Sequence, residues 1–215
     1  MNQNFRKKRL LILKPLSNKR LYFFIHYLIF DKMIEMVNYF IYKNSIKIIS
    51  LFGYNRFTYK IFSFFYGLGY KHSFGCIRLE PAIANEKNYF LNEGDIFMYI
   101  EFMPWSYGNY IQTKDKNIRK KIMLFGAEDF LNMTNFLIKN KETLPKTIIS
   151  YSNKRIALLI QKKLHFEFID FKNVEEVIKK CNGDVVKLKI TVEKIIENKR
   201  NTEKLIEQLK PLNLK

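Results

Sequence analysis

An excess of positive charge constrains this chain more than any other feature. Its 38 Lys+Arg stand against 20 Asp+Glu, a formal net charge of +18. Charges of one sign repel each other in every compact state, and they attract polyanions. The imbalance therefore points to a partner that supplies negative charge. Nucleic acid is the first candidate and an anionic membrane surface the second. Lys, Asn, Ile, Phe and Tyr dominate the chain, as they do when a genome is rich in A and T. Codon drift does not explain why Asp and Glu fail to keep pace. At 47% hydrophobic and 16% aromatic, the 215 residues hold ample material for a core. That length is one large domain, or a modest domain with extensions.

Several function classes recede on the same grounds. Cys76 and Cys181 are far apart and lack a CxxC spacing, so they read as small buried residues rather than a disulfide or metal pair. His26, His72 and His165 have no Cys or His neighbour at ligand spacing, which argues against zinc. No cofactor is expected. The apolar run Leu21–Phe30 is ten residues long, and a membrane-spanning helix needs about 20. Phe57–Tyr70 is interrupted by Lys60 and two glycines. Both segments read as buried helices, with no membrane insertion. The start, MNQNFRKKRLLILKPL, lacks the length and cleavage site of a secretory signal.

Along the chain, residues 1–20 form a basic arm containing Arg6, Lys7, Lys8 and Arg9. Residues 21–44 read as an aromatic helix and 45–52 (SIKIISLF) as a strand. Gly53–Arg56 is a turn, and a helix follows from Phe57 to about Phe65. Tyr66-Gly67-Leu68-Gly69 would turn the chain into a second short helix from about Lys71 to Leu79, stopped by Pro81. Leu91–Met103 reads as a helix capped by Asn92. Lys116 to about Phe125 reads as a basic helix, continued by or paired with Phe130–Lys139. After Pro145 the pattern becomes strand (147–150), helix (153–164) and strand (165–169). Leu188, Val192, Ile195, Thr202, Leu205 and Leu209 recur at spacings of three, four or seven, which predicts a docking helix or short coiled coil.

The hairpin at 57–71 carries the most information. Its glycines let the backbone approach a partner, and free N–H groups at a helix start favour a phosphate, with Lys71 beside them. Four pieces here, taken in order and spacing, resemble the universal small-subunit ribosomal protein thirteen family over about residues 49–123. They are Leu51-Phe52-Gly53 with Asn55-Arg56, then Ile61 through Gly67-Leu68-Gly69, then Leu91-Asn92-Glu93-Gly94-Asp95-Ile96, then Asn117-Ile118-Arg119-Lys120-Lys121-Ile122-Met123. The family's Gly/Arg-rich tail has no counterpart from Gly126 onward.

The resemblance implies a mainly α-helical protein with a small helix–turn–helix core at 45–125. A basic arm and aromatic helix would precede it at 1–44. A helical extension, with an α+β form left open, would follow at 126–215. It also implies a non-enzymatic, structural role in an organellar (mitochondrial) small ribosomal subunit, encoded in the organelle. Ribosomal RNA would be bound through Arg6, Lys7, Lys8, Arg9, Asn55, Arg56, Gly67, Gly69, Lys71, Arg119, Lys120 and Lys121. The extension would meet neighbouring ribosomal proteins.

A second resemblance belongs to a different class. Residues 146–169 resemble the end of an N-acetyltransferase fold: strand, helix (Asn153-Lys154-Arg155-Ile156-Ala157-Leu158-Leu159), then Lys162-Lys163-Leu164-His165-Phe166-Glu167-Phe168. The alternative it implies is a degenerate enzyme of that fold or an acyl-CoA-binding protein. The family's phosphate-cradling glycine loop is missing, and Gln161 falls near the place of its usual Tyr acid.

Overall fold

A computed structural model of the protein describes residues 33, 36–37, 39–40, 44, 47–49, 51–67, 70, 72–84, 91–102, 113–181 and 185–210. Six strands form one mixed sheet in the order β1-β2-β3-β4-β6-β5. They are β1 (Ser73–Phe74), β2 (Ile77–Ile83), β3 (Ile96–Phe102), β4 (Thr147–Asn153), β5 (Glu167–Phe168) and β6 (Val185–Thr191). The helices are α1 (Arg56–Gly67), α2 (Lys116–Asn140), α3 (Lys154–Leu164), α4 (Val174–Lys180), α5 (Val192–Glu197) and α6 (Lys199–Leu209). The fold is α+β, which overturns the mainly α expectation and its helix–turn–helix core.

The corrections have local causes. The glycine hairpin does not lead into a second helix. Phe74 pairs with Ile77 across Gly75-Cys76, and Gly75 has φ +57, the backbone a two-residue hairpin turn requires. Pro81 does not end a helix. It lies in β2 beyond Arg78, where pairing with β1 ends, so its missing N–H leaves no gap in that ladder. Leu91–Met103 is not a helix either. Gly94 takes φ +91, and Gly94 N–H donates to Ala84 O at 2.8 Å while Ala84 N–H donates to Asp95 O at 2.9 Å. The aromatic and β-branched Ile96–Phe102 then suits a buried strand. Residues 47–49 and 51–52 are helical rather than extended. Gly53, at φ +72, donates to Ile49 O at 2.8 Å and stops that helix.

The expected docking stripe divides among three elements. Val186, Leu188 and Ile190 alternate inward along β6, a period of two that only a strand gives. Val192 and Ile195 are buried on α5, and Thr202 and Ile206 on α6. The strand–helix–strand expected after Pro145 is present as β4, α3 and β5.

The chain forms two compact units. One comprises Met1–Asn18, Leu79–Ile100 and Leu137–Glu197. Its core joins Ala82, Ala84, Leu91, Phe97, Tyr99 and Ile149, with Tyr151 and Ile169 packed against them. Lys154, at the start of α3, donates to Ile178 O at 2.6 Å and Cys181 O at 3.2 Å, which places a cation on the carbonyl end of α4. The other comprises Lys19–Arg78, Glu101–Phe136 and Asn198–Lys215. Its centre is aromatic: Phe125 lies 5.7 Å from Tyr54 and 4.8 Å from Tyr59, centroid to centroid.

Candidate functional site

β3 and β4 pair in parallel. Met98, Tyr99 and Ile100 pair with Ile148, Ile149 and Ser150, whereas β4 with β6, β5 with β6 and β1 with β2 are antiparallel. Parallel neighbours need a crossover, and α2 lies between these two in the chain. Such a point, where strand connections reverse, is where open sheets bind ligands, beyond the carboxyl ends of the strands. On β4 the register with β6 runs from Thr147 to Asn153, but the register with β3 stops at Ser150. Among the described residues, the backbone of Tyr151–Asn153 thus has strand pairing on one side only. Ser150 is fully buried, and its hydroxyl finds no hydrogen-bond partner among them.

Four of the residues expected to bind RNA make contacts within the fold. Asn55 caps α1: its Oδ1 accepts from Phe57 N–H and Thr58 N–H, each at 3.0 Å, and its Nδ2 donates to Phe52 O at 2.9 Å. Arg56 makes a two-pronged ion pair with Glu128 and lies 4.5 Å above the Phe125 ring. Hydrogen bonding to Glu128 raises its pKa further. Gly67 ends α1 with Ser73 so close that a Cβ would collide with its side chain. The absence of a side chain there serves packing against Ser73. Arg119 donates from Nε to Thr113 O at 2.7 Å. Lys120 and Lys121 are half-buried on α2. Arg6, Lys7, Lys8, Arg9, Gly69 and Lys71 lie outside the described residues. Nor is the first turn of α2 an open anion site, because Asp115 Oδ1 already accepts from Asn117 N–H at 2.7 Å and Ile118 N–H at 3.3 Å.

Two buried polar clusters escaped the sequence reading. Asp129 on α2 accepts from the Tyr59 hydroxyl and, at 2.8 Å, from Cys76 N–H in the β1–β2 turn. One carboxylate therefore ties α1, α2 and the hairpin together. Burial is the largest influence on it and raises its pKa from 3.8 to about 6, against the pull of those hydrogen bonds. Burial also pushes the Tyr59 hydroxyl and Cys76 thiol well above their ordinary values. The signal available for Asp129 was its place between Phe125 and Met133, four residues away on either side and so on one face of a helix.

The second cluster is built on Arg78. Its side chain is buried, donates from Nε to Tyr66 O at 2.6 Å and from Nη2 to the same oxygen, and meets Glu101 at 3.4 Å. Tyr66 and Tyr70 cover the guanidinium at 3.5 and 3.7 Å from their ring centres. The Asp129 carboxylate and the Arg78 guanidinium are both hydrogen-bonded and packed, as interior charged groups must be, so their chemistry is structural. Among the described residues no group of three or more His, Cys, Asp or Glu could hold a metal, and no helix is long and apolar enough to cross a membrane.

Comparison with known proteins found no matching family model, curated protein or solved structure.

Proposed function

We propose that this chain binds an acyl-CoA thioester, or CoA itself, at the β3/β4 switch point. The topology carries this reading. A parallel pair linked by α2 stands in a mixed sheet, and the last strand, β6, returns antiparallel between β4 and β5. That arrangement resembles the N-acetyltransferase fold, whose end the segment 146–169 also resembles in sequence. The warrant is an analogy of fold, joined to one local observation. The one-sided backbone at Tyr151–Asn153 offers an extended ligand with serial amides, such as the pantetheine arm of CoA, the hydrogen bonds a strand would make. The role is binding rather than acyl transfer. Gln161, near the family's Tyr acid, has no proton to give, so general acid catalysis lacks its group.

Because Asp115 already fills the first turn of α2, the diphosphate gains no helix-start site there. Pantetheine alone should therefore bind within about tenfold of CoA, one factor of ten corresponding to about 1.4 kcal/mol. Titration calorimetry with acetyl-CoA, CoA and pantetheine tests this. No saturable heat from any of them overturns it.

One observation favours a second reading, phosphate-dominated binding to structured RNA: the +18 charge. Lys and Arg displace counterions from RNA without needing a built pocket. Affinity that falls with salt at a log–log slope of several units, with no response to acetyl-CoA, would select it. Particle co-sedimentation would then test the ribosomal role.

A further inference from the structure

Residues 51–64 present an apolar surface that stands exposed among the described residues. On α1 the inner face is Thr58, Tyr59, Phe62 and Tyr66, all buried. The outer face is Phe57, Lys60, Ile61 and Phe64, at helical spacings of three and four. Phe57 is 71% exposed and Phe64 64%, and just before the helix Leu51 is 77% and Phe52 66% exposed. Exposed apolar residues are ordinary when scattered, but a contiguous group of this size marks a contact surface.

The surrounding charge selects the partner. Residues 1–79 hold fourteen Lys+Arg and two acids, Asp31 and Glu35. That is +12 of the chain's +18, and no Asp or Glu occurs from Met36 to Leu79. Lys60 lies exposed on the apolar face itself. Of the acids that contact α1, Glu128 is paired with Arg56, and Asp129 is buried against Tyr59 on the inner side of the helix. A second copy would bring the same excess of positive charge and be repelled. RNA bases would reward the phenylalanines by stacking, but Leu51 and Ile61 have no π-face to offer and gain only from hydrocarbon. Apolar side chains that enter an acyl layer, with Lys60 among them and in a stretch of sequence that holds cations and no acid from Met36 to Leu79, are the combination an anionic bilayer surface recognises.

We infer that the outer face of α1, with Leu51 and Phe52, docks this protein onto an anionic lipid bilayer, lying in the interface without crossing it. The test uses the full chain and co-sedimentation with vesicles of phosphatidylcholine, with and without phosphatidylserine. The parent should partition onto the serine-containing vesicles at least about tenfold more than onto neutral ones, and added salt should weaken it. Phe57→Ser combined with Phe64→Ser removes exposed rings that support no core, so the variant should keep its melting temperature and lose about tenfold or more of its partitioning. Lys60→Glu should lower binding to anionic vesicles alone. Equal partitioning of the double variant and the parent would reduce the effect to charge and overturn the docking face. So would a parent that ignores both vesicle types, or a dimer in light scattering that the double variant abolishes.

Discussion

Replacing Asp129 with asparagine should make the stability of this protein less dependent on pH, in a direction that follows from burial. The carboxyl titrates near 6 in the fold against 3.8 when unperturbed. The folded chain therefore holds this proton more tightly than the unfolded chain. The stabilisation is whole below about pH 4 and is lost as the pH rises through about 6, amounting to about 3 kcal/mol in all. Asparagine is nearly the same shape, and its Oδ1 can still accept from Tyr59 and from Cys76 N–H, but it does not titrate. The Tyr59 hydroxyl and Cys76 thiol, both pushed up, stay neutral throughout this window. Urea unfolding of parent and Asp129→Asn should agree within about 1 kcal/mol near pH 4. Near pH 7.5 the parent should have lost roughly 2–3 kcal/mol relative to the variant. A gap that stays constant would mean that the carboxyl is not desolvated. A gap that opens in the parent's favour as pH rises would mean that its hydrogen bonds outweigh burial, and the reasoning would be refuted.

Other perturbations test other joints. Gly75→Ala places a Cβ inside the Asp129 carboxylate at φ +57, whereas Gly94→Ala meets open space at φ +91. Thermal unfolding should show the first to be worse, by roughly 1–3 kcal/mol beyond the shared backbone strain. Arg78→Met leaves the buried Glu101 partnership and the Tyr66 carbonyl without their donor, and should cost roughly 3–5 kcal/mol in urea unfolding. Ser150→Ala removes a buried hydroxyl with no partner among the described residues, so stability should change by less than about 1 kcal/mol or rise. A loss of more than about 2 kcal/mol there would mean that the hydroxyl has a partner.

Legibility tracked how local the signals were. α1 was readable because Asn55 caps it and its inner residues recur at helical spacing, and α3 because Ile156, Ala157 and Ile160 do the same. β4 was readable from its short Thr-Ile-Ile run between Pro145 and a polar stretch. The hairpin at Gly75-Cys76 was missed because its strand β1 is two residues long, too short for any alternation to register. β3 was missed because Asn92, Glu93 and Asp95 imitate a helix start while in fact surrounding a turn at Gly94. β6 was hidden by neighbours: Leu188 to Val192 and Ile195 give helical spacings only when counted across the strand end at Thr191. The resemblance to the ribosomal family implied a mainly α fold, and the strands β2 and β3 within its span overturn that fold. Its Asn55 and Arg56 turned out to be a cap and an ion pair. The Asp129 and Arg78 clusters depend on partners 53 or more and 12 or more residues away, which periodicity cannot reveal.

The most direct test is calorimetric titration of the folded chain with acetyl-CoA at moderate salt, repeated after replacing Asn153 by proline to remove a backbone donor that faces away from β6 in the one-sided stretch of β4. The account predicts saturable one-to-one binding for the parent, a melting temperature that rises with ligand, and a loss of about tenfold or more in affinity for the variant if it remains folded. No binding by the parent, alongside RNA binding that falls steeply with salt, would contradict it.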